Sequence, residues 1–199
     1  MHPALALLEF SSIAAGIAAG DAMIKRGPVA EIVGGTVHPG KYLVMVVGDV
    51  AAVEEAVAAG IERSGAALVD RVLLPDVHPA VAAAVRGDRF PPDGEAVGVI
   101  ETVTVAATIA AADAAVKGAT VVLTELHLAD GLGGKAYALF CGTVSDVEAA
   151  VAIGLERVPP ALLAGSVVIP QLHAEMGENL FEGFRFGTRV GWEGFDAAG

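Results

Sequence analysis

The stretch ALALLEFSSIAAGIAAGDAMIK, residues 4–25, decides the fold because the chain contains a second version of it. Residues 96–117 read AVGVIETVTVAATIAAADAAVK, and ten of the 22 positions are identical. A second block, residues 40–63, matches residues 134–157 at 12 of 24 positions. The chain is therefore a tandem duplication, and its fold is that of one unit repeated.

The two copies differ in one loop and are joined by a polar segment. The offset between them grows from 92 to 94 residues, so the second copy has a loop two residues longer. The Pro- and Gly-containing segment RGDRFPPDGE, residues 86–95, separates the copies. We predict a first domain (1–88), a linker (89–95), a second domain (96–182) and an aromatic, Gly-rich C-terminal tail (183–199).

The sequence of each copy predicts the same elements. Short apolar runs predict strands, and Ala-rich segments with apolar residues at helical spacing predict helices. The order is β-α-β-β-α-β, an α/β (α+β) unit of ferredoxin-like type with helices on one side of a sheet. Asp49 and Ser145 are predicted N-caps, and Ser145 has Glu148 at capping-box spacing. The predicted strands are 5–10, 29–33, 42–47, 69–74, 97–102, 121–126, 136–141 and 165–169, and the predicted helices are 13–26, 50–64, 105–117 and 144–157.

Composition excludes several functions. The net charge of −12 argues against nucleic acid as a partner, because phosphate neutralisation needs basic surface. Apolar runs are too short to cross a membrane, and the first ten residues lack the basic region of a secretory signal. The single cysteine, Cys141, suits a reducing cytoplasm. With 54% hydrophobic residues, the chain has more apolar surface than one small core needs, so we expect subunit contacts.

The segment GTVHPGKY, residues 35–42, is one residue short of a phosphate-binding P-loop. A P-loop precedes a helix, whose N-terminus faces the phosphates. Here an apolar strand follows, and Tyr42 replaces the Ser or Thr that would hold Mg²⁺. We therefore expect no nucleotide site, and the glycine loop needs another explanation.

Three motifs give the repeated unit a family resemblance: ALxxxE…AxxAxDAxxK, GK…GDVxxVExAVxxG and xIPxxH. The unit resembles the bacterial microcompartment shell domain, and two copies in one chain resemble the tandem, trimer-forming shell proteins. The resemblance implies a homotrimer in which six domains form a flat pseudo-hexameric tile. Tiles would join other shell proteins edge to edge around encapsulated enzymes, and a central pore would pass metabolites. It implies no enzymatic activity.

The resemblance also assigns site residues. The glycine loops, residues 34–40 and 127–134, match the pore loop, so a trimer would place three copies of each around its axis. Three His38 imidazoles there could form a pH-responsive filter. The resulting pore-lining residues are Gly35, Thr36, Val37, His38, Pro39 and Gly40 of the first copy and Ala129, Asp130, Gly131, Leu132 and Gly133 of the second.

At the tile edge, the resemblance implies roles for Lys25 and Lys117, which match the lysine of the family's DAMxK motif. His78 and His173 are expected at the same edge as packing or hydrogen-bonding residues. Hexagonal family members usually have Pro-Arg-Pro-His there. This chain reads Pro-Asp-Val-His and Pro-Gln-Leu-His, so the usual arginine hydrogen bonds are in doubt.

Alternatives remain open at the pore. Some tandem shell proteins carry a loop cysteine that can hold a three-fold iron–sulfur cluster, but here His38 precedes Pro39 and Cys141 lies in a predicted strand. We expect no cofactor, although three His38 side chains could bind Zn²⁺ or a similar metal. Some tandem members stack two trimers face to face, commonly with an N-terminal extension, and we expect a single layer.

Residues 174–199 hold five of the ten aromatic residues. They would pack on this or a neighbouring subunit, or would dock encapsulated enzymes or other shell proteins. Their glycines argue against a long helix. The aromatic side chains concerned are Phe181, Phe184, Phe186, Trp192 and Phe195.

Two rival functions are weaker. A small-molecule-binding regulatory α/β oligomer could use a cleft between the repeats, and a ferredoxin-like enzyme would need catalytic groups that the sequence does not supply. The paired Glu9 and Glu101, which close the first strand of each copy, suggest a structural hydrogen bond more than acid–base chemistry.

Overall fold

The structure is a computed structural model, and it describes residues 3–182, 186 and 190–191. Each copy of the repeat forms a four-stranded sheet with helices. The first domain consists of β1 (Ala4–Phe10), α1 (Ile13–Arg26), β2 (Glu31–Val37), β3 (Lys41–Gly48), α2 (Val50–Ser64), β4 (Leu68–Leu74) and α3 (Pro79–Val85). The second consists of β5 (Ala96–Thr102), α4 (Val105–Gly118), β6 (Val122–Leu128), β7 (Ala136–Gly142), α5 (Val144–Leu155), β8 (Leu163–Ile169) and α6 (Ala174–Glu182).

Both sheets have the same topology. The strand order is β2-β3-β1-β4 in the first and β6-β7-β5-β8 in the second, and every neighbouring pair is antiparallel. The interior strand β1 is buried along its whole length, which is why it reads as an apolar run interrupted only by Glu9 instead of an alternating one. The predicted α/β architecture of two repeated units is confirmed.

The structure corrects the position of the first glycine loop. Gly34 and Gly35 pair with Val44 and Leu43 inside β2, so the turn between β2 and β3 contains only residues 38–40. At Gly34 a Cβ atom would lie 3.0 Å from the Tyr42 hydroxyl. This glycine leaves room for a neighbouring side chain in a sheet, a role that composition alone does not distinguish from a loop.

Other local differences concern helix ends. Asp49 is the N-cap of α2, as predicted, but Thr143 and not Ser145 caps α5, because the Thr143 hydroxyl accepts a hydrogen bond from the backbone N–H of Asp146. The short helix α3 was not predicted. The nine-residue helix α6 occupies the start of the segment in which no long helix was expected.

Helices α1 and α2 cover one face of the first sheet. Their buried side chains, including Ala19, Met23 and Val53, pack against Leu8 and Phe10 of β1. This one-sided layer is the arrangement that the alternation of helices and strands predicts.

The opposite face of the first sheet is also buried, and it is covered by the second domain. Leu5 and Leu7 of β1 and Val72 of β4 belong to the same apolar cluster as Val105 and Ile109 of α4. We call this contact between the first sheet and α4 the seam. It makes the two domains share one core, and it positions the polar residues described next.

Candidate functional site

The two turns that match the predicted pore loops lie side by side. The backbone N–H of His38 donates to a carboxylate oxygen of Asp130 over 3.2 Å, and the His38 Nδ1 atom is 3.6 Å from the same oxygen. Both side chains remain largely exposed. The structure therefore brings the first-copy residues 38–40 and the second-copy residues 129–134 together at one end of the seam.

Glycines allow this close approach. A Cβ atom at Gly134 would lie 2.8 Å from the Cδ atom of Pro39, and Gly134 has a φ of +84°. Gly40, Gly131 and Gly133 also have positive φ, a conformation that side chains disfavour. Because these glycines have no side chain, the two turns can pack closely against each other.

A buried carboxylate fixes the domains beneath these turns. Glu9 is fully buried, and its Oε1 atom accepts a hydrogen bond from the Lys41 ammonium over 2.6 Å. Its Oε2 atom accepts from the backbone N–H of Val105, the first residue of α4, over 2.9 Å. Lys41 also donates to the carbonyl oxygens of Val103 and Gly134. The predicted structural hydrogen bond of Glu9 is present and crosses the seam.

A second polar contact across the seam lies beside the first. The hydroxyl of Thr104, the N-cap of α4, donates to the Asp70 carboxylate over 2.5 Å. The same hydroxyl accepts from the backbone N–H of Ala107. The N-terminus of α4 is therefore held by two carboxylates of the first domain.

The residues predicted for the tile edge lie at the other end of α4. Asp113 accepts a hydrogen bond from the backbone N–H of His78 over 2.8 Å and also pairs with Lys117. Lys117 donates further to the carbonyl oxygen of Asp76, and the His78 ring accepts from Ala80 at the start of α3. The structure brings His78 and Lys117 together through one buried carboxylate.

In the other copy these positions are more open. Lys25 pairs only with Asp21 among the described residues, over 2.6 Å, and both side chains are exposed. His173 is exposed, and among the described residues no hydrogen bond or ion pair joins it to Lys25. Each lysine is in the last turn of a 14-residue helix, about 20 Å along the axis from the end that carries the turns.

A polar cluster that the sequence analysis missed supports the second turn. Glu125 pairs with Arg89 of the linker over 2.6 Å and accepts a hydrogen bond from the Tyr137 hydroxyl over 3.0 Å. The His127 ring stacks on Tyr137, and its Nε2 atom is 2.9 Å from the carbonyl oxygen of Asp130. The available signal was the presence of Glu125 and His127 two residues apart, and so on one face, in a strand whose other residues except Thr124 are apolar.

Burial and charge set the ionisation of this cluster. Burial opposes ionisation of Glu125, but hydrogen bonds from His127 and Tyr137 and the charge of Arg89 outweigh it and hold the pKa of this carboxyl below its usual range. Burial, and then the Glu125 charge, raise the pKa of the Tyr137 phenol. The cluster is therefore a carboxylate with neutral and cationic donors around it, and it anchors the turn that carries Asp130.

The metal site considered from the sequence needs three His38 side chains, and one chain supplies only one of them. Among the described residues, no three His, Cys, Asp or Glu side chains are close enough to hold a metal ion. Cys141 is buried in β7, and burial raises the pKa of its thiol, so it behaves as a small apolar side chain. A site built from His38 would require several chains.

An open surface hollow of about 660 Å³ lies at the outer end of the seam. His78, Lys117, Cys141 and Asp146 are among its lining residues. It borders the residues predicted for the tile edge and is separate from the turns.

In the part of the chain that the structure describes, no helix combines the length and the apolar character that crossing a membrane requires.

Comparisons with known proteins agree with this architecture. The family model described as BMC domain matches residues 4–86 and 96–172. The bacterial microcompartment shell protein PduT of Citrobacter freundii is 44% identical over 184 residues, which are 92% of this chain and 100% of that protein. A solved microcompartment protein from Desulfitobacterium hafniense is 38% identical, with a TM-score of 0.76 over 89% of this chain and 99% of that one. A fused permuted hexameric shell protein of the RMM microcompartment, 19% identical, has a TM-score of 0.57 over 77% of this chain and 84% of its own, which shows a shared fold.

We predict that Glu125→Gln lowers the free energy of unfolding at pH 7 by about 1–3 kcal/mol, because it leaves buried donors without a charged acceptor. The depressed pKa of Glu125 contributes stability above the unfolded-state pKa of about 4.3, and this stability is lost as the pH falls through the lower folded-state pKa. Urea unfolding of both proteins between pH 7 and pH 3 measures the difference.

That difference should shrink towards acid pH, because other carboxylates titrate equally in both proteins and cancel. Glu148→Gln on α5 serves as the control, since no ion pair is found for this carboxylate among the described residues. A gap between wild type and Glu125→Gln that stays constant over the whole pH range would contradict the prediction.

Proposed function

Because the chain belongs to the BMC-domain family of bacterial microcompartment shell proteins, we propose that three copies close into a ring of six domains that forms one tile of the shell. The protein is a structural component of the microcompartment shell and not an enzyme.

The observation that carries the proposal is a helix face that is buried in one domain and exposed in the other. Val105 and Ile109 of α4 are fully buried in the seam. Ile13 and Ile17 occupy the matching positions of α1 and are 41% and 54% exposed. Water contact of two large aliphatic side chains on one helix stripe is unfavourable, and a covering surface would relieve it.

The surface that would cover this stripe is the part of the second sheet around β8, which Phe181 of α6 leaves uncovered. Val72 of β4 is 7% exposed because α4 lies on it, whereas Val167, its match in β8, is 47% exposed. The exposed stripe of α1 and the exposed face of β8 are the repeat counterparts of α4 and β4. Within the chain, α4 and β4 pack against each other in the seam. A second copy can supply each half.

Such a contact is heterologous, because helix meets sheet and not its own copy. Heterologous contacts form either closed rings or open filaments. If the contact between chains repeats the geometry of the seam, all domains of the assembly are related by nearly the same rotation. The fused permuted hexameric shell protein with the same fold supports closure at six domains, which is three chains.

A ring places the turns near its axis. The N-termini of α1 and α4 lie at the same end of the repeat as the turns, and three copies of each turn would alternate around the centre. The groups available to line the pore are the exposed His38 and Asp130 side chains. We propose a polar lining for small metabolites, with no bound cofactor.

The opposite helix ends then face outwards. Lys25 and Lys117, about 20 Å from the turns along their helices, would contact neighbouring tiles, together with His78 and His173. Other shell proteins are the expected partners at these edges. The hypothesis that the aromatic tail docks encapsulated enzymes concerns residues that mostly lie outside the described part of the chain.

The first prediction is the assembly itself. Native mass spectrometry should give a species of about 60 kDa, three chains of 20.0 kDa. Ile17→Glu should abolish it, because the change puts a charge into the contact between chains. Ala58→Glu, at an exposed position of α2 away from the seam, should leave the trimer intact. A wild-type monomer or dimer would contradict the ring. If the trimer carries one extra metal ion and His38→Ala loses it, the pore contains a metal site, and the proposal of a polar pore without a cofactor is wrong.

The second prediction concerns the axis. In a Cys141→Ala background, Leu132→Cys should cross-link to a neighbouring chain with a short bis-maleimide, giving a band of about 40 kDa, two chains of 20.0 kDa. Three thiols near one axis are close together, whereas Glu54→Cys on α2 should stay uncross-linked at the same dilution. Equal cross-linking at both positions would contradict a central location of the turn.

The third prediction concerns the edge. Wild type should form sheets or tubes in negative-stain electron microscopy at low salt. Lys25→Ala combined with Lys117→Ala should prevent them, while the trimer mass is unchanged. Arg63→Ala, which removes an exposed cation from the last turn of α2, away from the seam and from Glu101, is the control for loss of a positive charge and should still form sheets. If the double variant forms normal sheets, these lysines do not contribute to the contact between tiles.

A further inference from the structure

The carboxylate that closes the seam inside the chain has a counterpart that is only half used. Glu9 and Glu101 occupy the same place in β1 and β5. Glu9 uses both oxygens: Oε1 accepts from Lys41, and Oε2 accepts from the backbone N–H of Val105. Glu101 uses Oε1 in the same way, for Lys135, which is the match of Lys41. Within the described residues, no hydrogen bond reaches Oε2 of Glu101.

The free oxygen of Glu101 points to the uncovered part of the second sheet. Oε2 is 3.9 Å from the position that a Cβ atom of Gly165 would take, so it lies over β8. The Glu101 side chain is 36% exposed, whereas that of Glu9 is not exposed at all. Burial of this carboxylate without a second donor would be costly, because buried carboxylates need partners for both oxygens.

The matching donor is on the surface of the same chain. Ile13 is the first residue of α1, and the first N–H groups of a helix have no acceptor within it. Ser12 caps α1 by accepting from Ala15, as Thr104 caps α4. In α4 the N–H of the first residue is taken by Glu9, whereas no carboxylate among the described residues accepts from the first N–H of α1. Donor and acceptor are thus both present, on the two surfaces that the proposed ring joins.

Building on the proposed trimer, we infer that Glu101 accepts a hydrogen bond from the backbone N–H of Ile13 of the partner subunit. The partner is a second copy of this chain, and the bond repeats the Glu9–Val105 bond between chains. The negative carboxylate at the N-terminus of α1 is also favoured by the helix dipole. Glu101 and Lys135 would then be the polar pair that closes the ring at each junction.

The proposed contact between chains depends on the Glu101–Ile13 bond more than the seam depends on the Glu9–Val105 bond. Inside the chain, Thr104 donates to Asp70 beside Glu9. In the repeat these two positions correspond to Ser12 and Gly165, so the junction has no second carboxylate at that place. Gly165 leaves Glu101 as the acidic group of β5 and β8 that faces the incoming helix.

The duplicated glutamates provide the test. Trimers of wild type, Glu101→Gln and Glu9→Gln are each mixed with their own ¹⁵N-labelled form, and native mass spectrometry follows subunit exchange. Glu101→Gln should exchange faster by on the order of 100-fold, because a leaving subunit breaks two junctions and a charged hydrogen bond is worth a factor of about ten at each. Glu9→Gln should lower the thermal unfolding midpoint and leave the exchange rate at the wild-type value, because its bond lies within one chain.

Removal of the donor gives a second, independent measurement. Ile13→Pro deletes the N–H at a helix position that accepts proline, and Ile13→Val keeps the N–H and the branched side chain found at the matching Val105. Ile13→Pro should speed exchange relative to Ile13→Val in wild type and should add much less in Glu101→Gln, because the neutral amide oxygen accepts only a weak hydrogen bond from that N–H.

The outcomes separate the two proposals. If wild type is a trimer and Glu101→Gln exchanges at the wild-type rate, or if the effects of Ile13→Pro and Glu101→Gln add, the bond does not exist and the ring stands without it. If Glu9→Gln accelerates exchange as much as Glu101→Gln, the effect is general destabilisation, and the inference is overturned. If wild type is not a trimer, the ring itself fails, and the junction fails with it.

Discussion

Each sheet of this protein is apolar on both faces, and the pair of helices that each repeat packs on its sheet covers only one of them. Everything else in the structure depends on this constraint. Apolar area left in water costs about 25 cal/mol per Å², so the second face needs a cover of its own. In the first domain that cover is α4 of the second, and the two units share a core as a result. In the second domain Phe181 of α6 covers part of that face, over β5 and β7, and leaves Val167 of β8 exposed. The same requirement, unmet along β8 and at α1 in a single chain, is the physical basis for assembly.

Polar groups make the contact directional. Apolar packing alone tolerates sliding, but Glu9 fixes the N-terminus of α4 through a buried charged pair and a helix N–H, and Asp113 fixes the outer part through His78 and Lys117. A buried carboxylate is costly unless both of its oxygens have donors, so only one placement of the helix satisfies it. The turns inherit their position from this arrangement, which holds His38 against Asp130.

The second domain is not a plain copy of the first. The Arg89–Glu125–Tyr137–His127 cluster has no counterpart on β2 and β3, where Val33, Gly35 and Leu43 stand at the matching sheet positions. It ties the longer second turn to the linker and to β6. Divergence after duplication has therefore kept the covering surfaces and changed the support of one turn, so the two turns of the chain are chemically different.

The sequence by itself determined the duplication, the β-α-β-β-α-β order and the family, because these follow from local periodicity and from comparing the chain with itself. It also singled out Glu9 and its repeat without indicating what they bind. It misplaced Gly34 and Gly35, since a glycine that admits a tyrosine into a sheet and a glycine in a turn look alike. Only the tertiary structure decided which faces are covered, how both oxygens of Glu9 are used, and that His38 meets Asp130. Those facts arise from contacts between residues 32 to 96 positions apart, and no local pattern encodes them.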